Sequence, residues 1–339
     1  MPLALLGAFV LPGALLGACA GSIGSIGPLG SLPDPETRTA RAAALAEAGG
    51  FQRLPDTEGG RASGLPVAAW LRPGARKDCL RVYLEGDGLA WRTRWRSAAD
   101  PTPVDPVGLR LALADASNAT LVYLARPCQL GGASRPPCRP LLWTAARYGE
   151  EVLQAVSDRL DGILPARTSG AGPAGEAAGR PISDALDLTL VGYSGGGVLA
   201  ALLAAHRDDV DRLVTIAAPL DLDHWTEARR VSPLRLSLSP MQETDRLRGI
   251  PQLHFVSEAD GSVPVESTER FHEALRPDAP SRLHRIEGVG HADWPDRWRA
   301  IRSRLGPHCG APSRESRAPS RPPTTSLPAA ASLQKSRAR

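Results

Sequence analysis

Three residues able to share one reaction occur in the order Ser194, Asp260, His291, each in a turn of glycine or other small residues. A serine hydroxyl is a weak nucleophile until a histidine takes its proton and a carboxylate orients that histidine. The serine lies in GYSGG, Gly192 to Gly196, between an alternating apolar run and an alanine- and leucine-rich run. This spacing suits a sharp strand-to-helix turn: residues without side chains let the turn close, and the helix N-terminus favours developing negative charge. A tight turn with a capping serine would read the same, so the pentapeptide alone does not decide. Chain order adds the acid and then the base. Asp260 stands in HFVSEADGSVP just past an expected strand, with Glu258 as local competitor and Asp221 in APLDLDHW as the alternative acid. His291 stands in RIEGVGHADW after the next strand, and His224 is its one serious rival; His206, His254, His272, His284 and His308 fall in expected helices, strands or the tail.

Acyl chemistry at such a serine also needs two N–H donors for the oxyanion. Gly195, directly after the nucleophile, is expected to supply one. The second is expected from EGDG, after the run LRVYLE, where the Asp87 amide is the candidate and Gly88 the alternative. No Cys or His cluster has metal-ligand spacing, so neither metal nor cofactor is expected.

These residues need elements to hold them. Expected strands are 80–85, 119–125, 186–192, 212–217, 250–256 and 282–287, and expected helices are 106–116, 141–163, 195–207, 265–276 and 294–305. In 141–163, Val152, Val156, Leu160 and Ile163 recur on one helical face. Strands alternating with helices predict a mostly parallel α/β sheet with its functional loops at the strands' carboxyl ends. Upstream, 35–48 reads as a helix, and GLPVAAWLRP could add a leading strand, antiparallel at the sheet edge. The Gly- and Pro-rich stretch 165–184 reads as a flexible insertion, and 219–249 holds a candidate short lid, too short for a cap domain. No internal repeat is found. The organisation expected is a signal over 1–18, a linker over 19–34, one domain over 35–305 and a tail over 306–339.

With these motifs in place, the chain resembles the α/β-hydrolase superfamily from about residue 66 to 305. VYLEGDG, YLARPCQ and VGYSGGG are similar to a group of exported bacterial α/β-hydrolases. The resemblance implies an eight-stranded, mostly parallel sheet with helices on both faces, a triad of Ser194, Asp260 and His291, and acyl-enzyme chemistry, with carboxylic esters the default substrate. Glu85 stands where the HGG form of lipases and esterases has histidine. Thioesterase, peptidase and acyltransferase chemistry stay open, as does a non-catalytic envelope lipoprotein of the same fold, since fold alone does not establish activity.

Composition bounds the partners. The 339 residues, 42% hydrophobic, suffice for a sizeable core. The net charge of +4 is misleading: 306–339 holds six Lys or Arg and one acid, so the tail carries +5 and the remainder −1. A near-neutral body offers no basic face for nucleic acid. The tail, rich in Pro, Ser, Ala and Arg, is expected to stay unfolded.

At the other end, MPLALLGAFVLPGALLGACAGS has the apolar core of an export signal and is interrupted by Pro12. LLGAC resembles a bacterial lipobox, which implies Cys19 as a lipidated first residue of the mature chain. A monomer in the periplasm, or anchored to the membrane through Cys19, acting on a small acyl substrate, is the expectation. In an oxidising compartment Cys128 and Cys138 are the candidate disulfide, while Cys79 and Cys309 read equally well as free thiols. Trp91, Trp95, Trp143 and Trp294 could wall an acyl pocket or simply pack in core and rim.

Overall fold

A computed structural model describes residues 32–56, 64–164, 186–275 and 277–305. The expected signal, Cys19, the insertion, Cys309 and the basic tail lie outside the described residues. Among the described residues no helix is long and apolar enough to cross a membrane.

Eight strands form the main sheet: β1 (Gln52–Arg53), β2 (Ala69–Arg72), β3 (Arg76–Leu84), β6 (Ala119–Leu124), β7 (Asp187–Tyr193), β8 (Arg212–Ile216), β9 (Gln252–Val256) and β10 (Ser281–Arg285). Their spatial order is β1-β2-β6-β3-β7-β8-β9-β10. From β6 to β10 every pairing is parallel, and β2 runs antiparallel to both β6 and β1. The leading strand therefore sits one place in from the edge, which β1 covers; two residues are too few to carry a periodic signal. A separate hairpin, β4 (Trp91–Thr93) with β5 (Arg96–Ser97), also escapes the sequence pattern.

The parallel strands are apolar on both faces because both are covered. In β3, Leu80, Val82 and Leu84 enter one core with α3 (Glu150–Ile163) and α4 (Gly195–His206). Cys79 and Tyr83 enter the other, with α1 (Pro35–Ala48), α2 (Val107–Ala114) and α8 (Trp294–Ile301). The period-two alternation of strand side chains thus serves two cores at once. α4 is buried from Gly195 to Ala205, so its apolar sequence has no polar face to present. α5 (Leu222–Arg229) and α6 (Thr244–Leu247) follow β8, and α7 (Glu266–Ala274) precedes β10.

One expected helix is shorter than its pattern. The 141–163 segment begins with a 3-10 turn, Pro140–Trp143, and becomes α-helical at Glu150. Gly149 is extended there (φ −71°, ψ 166°), and a Cβ on it would come within 2.8 Å of the Leu236 carbonyl. The interruption leaves Arg147 and Tyr148 on a turn rather than a helix face.

Candidate active site

β7 runs straight into Ser194, whose backbone has φ 51° and ψ −125°, and α4 starts at the next residue. The turn closes because Gly192 and Gly196 have nothing to clash. A Cβ on either would lie well inside contact distance of backbone, of Gly196 and Gly197 in the first case and of Leu84 and Glu85 in the second. A serine at positive φ is strained and lifts its hydroxyl clear of the chain.

His291 bridges the other two residues. Its Nε2 is 3.1 Å from Ser194 Oγ and its Nδ1 is 2.8 Å from Asp260 Oδ2. A carboxylate only accepts, so Nδ1 carries the hydrogen and Nε2 faces the serine with its lone pair. The acid is fixed by its own turn: Asp260 Oδ1 accepts the Ser262 and Val263 amides at 2.8 and 2.9 Å. The base is fixed by packing and a tether. Tyr193 donates its hydroxyl to the His291 carbonyl at 2.7 Å, and the two rings lie 5.1 Å apart. Ser257 Oγ, accepting from Ala259 and Val289 at 3.3 and 3.2 Å, ties the acid's loop to the base's loop. Just beyond, fully buried Trp294 and Trp298 anchor α8.

The rivals are occupied elsewhere. Glu258 is exposed, and Asp221 caps α5 and pairs with Arg270 at 2.8 Å. His224 Nδ1 faces Ser267 Oγ at 3.0 Å. His254 is a core residue beside Thr215 Oγ1 at 2.8 Å, and burial pushes its pKa down to about 3, so it stays neutral.

The loop after β3 lies over Ser194: a Cβ on Gly86 would be 3.4 Å from Ser194 Cβ. Glu85 turns inward, accepting from Gly86 N at 2.8 Å, from Gly108 N and Leu109 N of α2 at 3.0 and 3.2 Å, and from Tyr123 Oη at 3.0 Å. Burial raises its pKa above the ordinary carboxylate value against these four donors. By engaging the Gly86 amide, Glu85 makes Asp87 the next backbone donor in the loop. Among the described residues, nothing accepts from the Asp87 or Gly195 N–H groups, the latter being the first of its helix. Gly88 adopts φ 64°, and a Cβ on it would overlap the Pro101 carbonyl.

Ser194 and His291 line a cleft of about 340 Å³, walled by Leu89, Pro103, Val104, Val107, Trp225 and Val263. The tryptophan at this wall is Trp225, from the segment expected as a lid, held by Nε1 on the Ser262 carbonyl at 3.1 Å. Of the four named in the sequence, Trp143 and Trp294 are buried in the core, while Trp91 and Trp95 are exposed on the hairpin. Cys128 and Cys138 form a disulfide, and among the described residues no cluster could hold a metal ion.

Sequence reading missed the side chains behind the Asp87 loop: Arg126, Arg147 and Tyr148. Their common target, Asp87, lies 39 to 61 residues away in the chain, so it is visible only in three dimensions.

No family model matches the chain, and no curated protein matches it in sequence. Solved structures to which the chain is similar are hydrolases at low identity. Est1E from Butyrivibrio proteoclasticus is 11% identical with a TM-score of 0.48, covering 76% of this chain and 97% of its own. The Pyrococcus furiosus esterase Pf2001 is 11% identical with a TM-score of 0.49, covering 76% and 91%. An alpha-beta serine hydrolase homologue from Coxiella burnetii is 15% identical with a TM-score of 0.46, covering 75% and 94%. With its mostly parallel eight-stranded sheet, helices on both faces and a strand-turn-helix at Ser194, the chain has the α/β-hydrolase fold.

Proposed function

We propose that the protein is a serine hydrolase that cleaves carboxylic esters through an acyl-enzyme. One observation carries this reading: His291 lies within hydrogen-bond reach of Ser194 Oγ and Asp260 Oδ2 at once. Nε2 of His291 takes the serine proton as Oγ attacks the ester carbonyl. Asp260 holds the imidazole in the required tautomer and supports the imidazolium. The Asp87 and Gly195 amides receive the oxyanion, with Gly88 as the alternative to Asp87. His291 then returns the proton to the leaving alcohol, and water, activated in the same way, releases the acid.

The cleft supports small, apolar esters without a negative charge: its walls are largely apolar, and among the described residues its charged lining is acidic, Glu85, Asp87 and Asp105. The Cys128–Cys138 disulfide supports the expected export to an oxidising compartment. Whether Cys19 anchors the chain is tested by Cys19→Ser, which should release it from membranes.

The deciding experiment is labelling with a fluorophosphonate probe, paired with turnover on esters and thioesters of graded acyl length. Wild type should label, and Ser194→Ala should abolish labelling and lower kcat by about 10⁶-fold. Unlabelled wild type, or equal labelling of Ser194→Ala, would return the chain to the non-catalytic binding reading.

A further inference from the structure

Behind the Asp87 loop lies a buried ion cluster that the triad does not use. Asp87 Oδ1 accepts from Arg126 Nη1 at 2.5 Å and Oδ2 from Arg147 Nη1 at 2.7 Å, while the Tyr148 hydroxyl sits 3.1 and 3.0 Å from the two oxygens. The partners are themselves held. Arg126 packs over the Tyr148 ring, 5.2 Å from its centre, and donates to the Arg147 carbonyl. Arg147 Nε donates to the Thr144 carbonyl at 2.7 Å, and Ser237 Oγ accepts the Tyr148 amide at 3.2 Å. Burial pushes the Asp87 pKa up, but the two guanidiniums outweigh it and hold the carboxyl at about 2.

Fold stability gives little reason for this cluster, because desolvating buried ions offsets most of what their attraction returns. Its location gives a reason. The carboxylate fills the space where a Gly195 side chain would stand: a Cβ there would overlap Asp87 Oδ1 and come within 2.7 Å of Tyr148 Oη. One residue therefore carries a proposed oxyanion donor on its backbone and touches the other donor's residue with its side chain. Asp87 is also flanked by Gly86 and Gly88, so local sterics do little to fix the direction of its N–H. Arg126 and Arg147 are both buried, and Asp87 is the one carboxylate that either pairs with among the described residues.

We propose that Arg126, Arg147 and Tyr148 are positioning residues: by locking the Asp87 carboxylate against Gly195 they set the separation and direction of the two oxyanion amides. This rests on the serine-hydrolase reading.

The test uses Asp87→Asn, which keeps the backbone donor and the side-chain shape while removing the ion pairs, with Arg126→Lys and Arg147→Lys, which keep charge but lose the planar fork. Turnover of p-nitrophenyl butyrate is normalised to serines titrated with fluorophosphonate, and inhibition by an alkylboronic acid is measured alongside. For Asp87→Asn, kcat per titrated site should fall about 100-fold with KM within about two-fold, and boronate affinity should fall in step with kcat. The Lys variants should lie between Asp87→Asn and wild type. If only the number of titrated sites falls, with kcat per site unchanged, the cluster merely supports the fold and the proposal is overturned. Should Asp87→Asn not fold, wild-type kcat in both Lys variants overturns it as well. A wild type that labels and turns over while the variants match it removes this proposal alone; an unlabelled wild type removes the hydrolase reading itself.

Discussion

Two aspartates lie close to the turn at Ser194, and they are held by opposite means. Asp260 is fixed locally: two amides two and three residues along its own turn take one oxygen, leaving the other for His291. No guanidinium is paired with it among the described residues. Asp87 is fixed from afar, by Arg126 and Arg147, 39 and 60 residues away. The difference follows from what each side must hold. An acid that steadies a histidine works through its own carboxylate, and a turn suffices to aim it. A donor on the backbone between two glycines has little local constraint, so it is held from elsewhere: by Gln129 Nε2 on the Gly86 carbonyl of the same peptide unit at 3.1 Å, and by the guanidiniums on its carboxylate.

The contrast can be broken or sharpened by measurement. The largest effect is expected on the acid side, where Asp260→Asn lets the imidazole take the wrong tautomer and should cost about 10⁴-fold in kcat. A loss no greater than that of Asp87→Asn would erase the distinction. On the brace side, Gly195→Ala drives a methyl into Asp87 Oδ1 and should lower kcat about 100-fold with little change in KM; a fully active Gly195→Ala would show that the carboxylate is free to move. The smallest effect is on stability in acid. A carboxyl whose folded pKa lies below its unfolded value contributes stability that is whole above about pH 4 and is lost as pH falls towards 2. Wild type should therefore lose more Tm than Asp87→Asn across that window, and parallel curves from the two proteins would contradict the assignment.

The same contrast explains what could be read from the sequence. Ser194, Asp260 and His291 announce themselves through neighbours within three residues, since each needs a turn of glycine or small residues at a strand's end. Seven of the sheet's strands and the starts of α1, α4 and α8 are legible for the same reason, being written in local period and punctuation. Arg126, Arg147 and Tyr148 were not, because a charge paired across 39 or 60 residues leaves no local trace. The apolar face of α3 also invited an early start at 141, whereas Gly149 stops the helix short and frees Arg147 and Tyr148 to face Asp87. Trp225, in a connecting segment, gains its role only from the wall it completes.

The backbone of Ser194 sets stability against chemistry at one position. At φ 51° a side chain costs roughly 1–3 kcal/mol, an amount glycine would spare, and glycine is already the residue at three of the pentapeptide's five positions. Mutation towards glycine at this codon would thus be favoured by stability and opposed by chemistry. On the proposed reading, Ser194→Gly would relax the turn and silence the enzyme in one step.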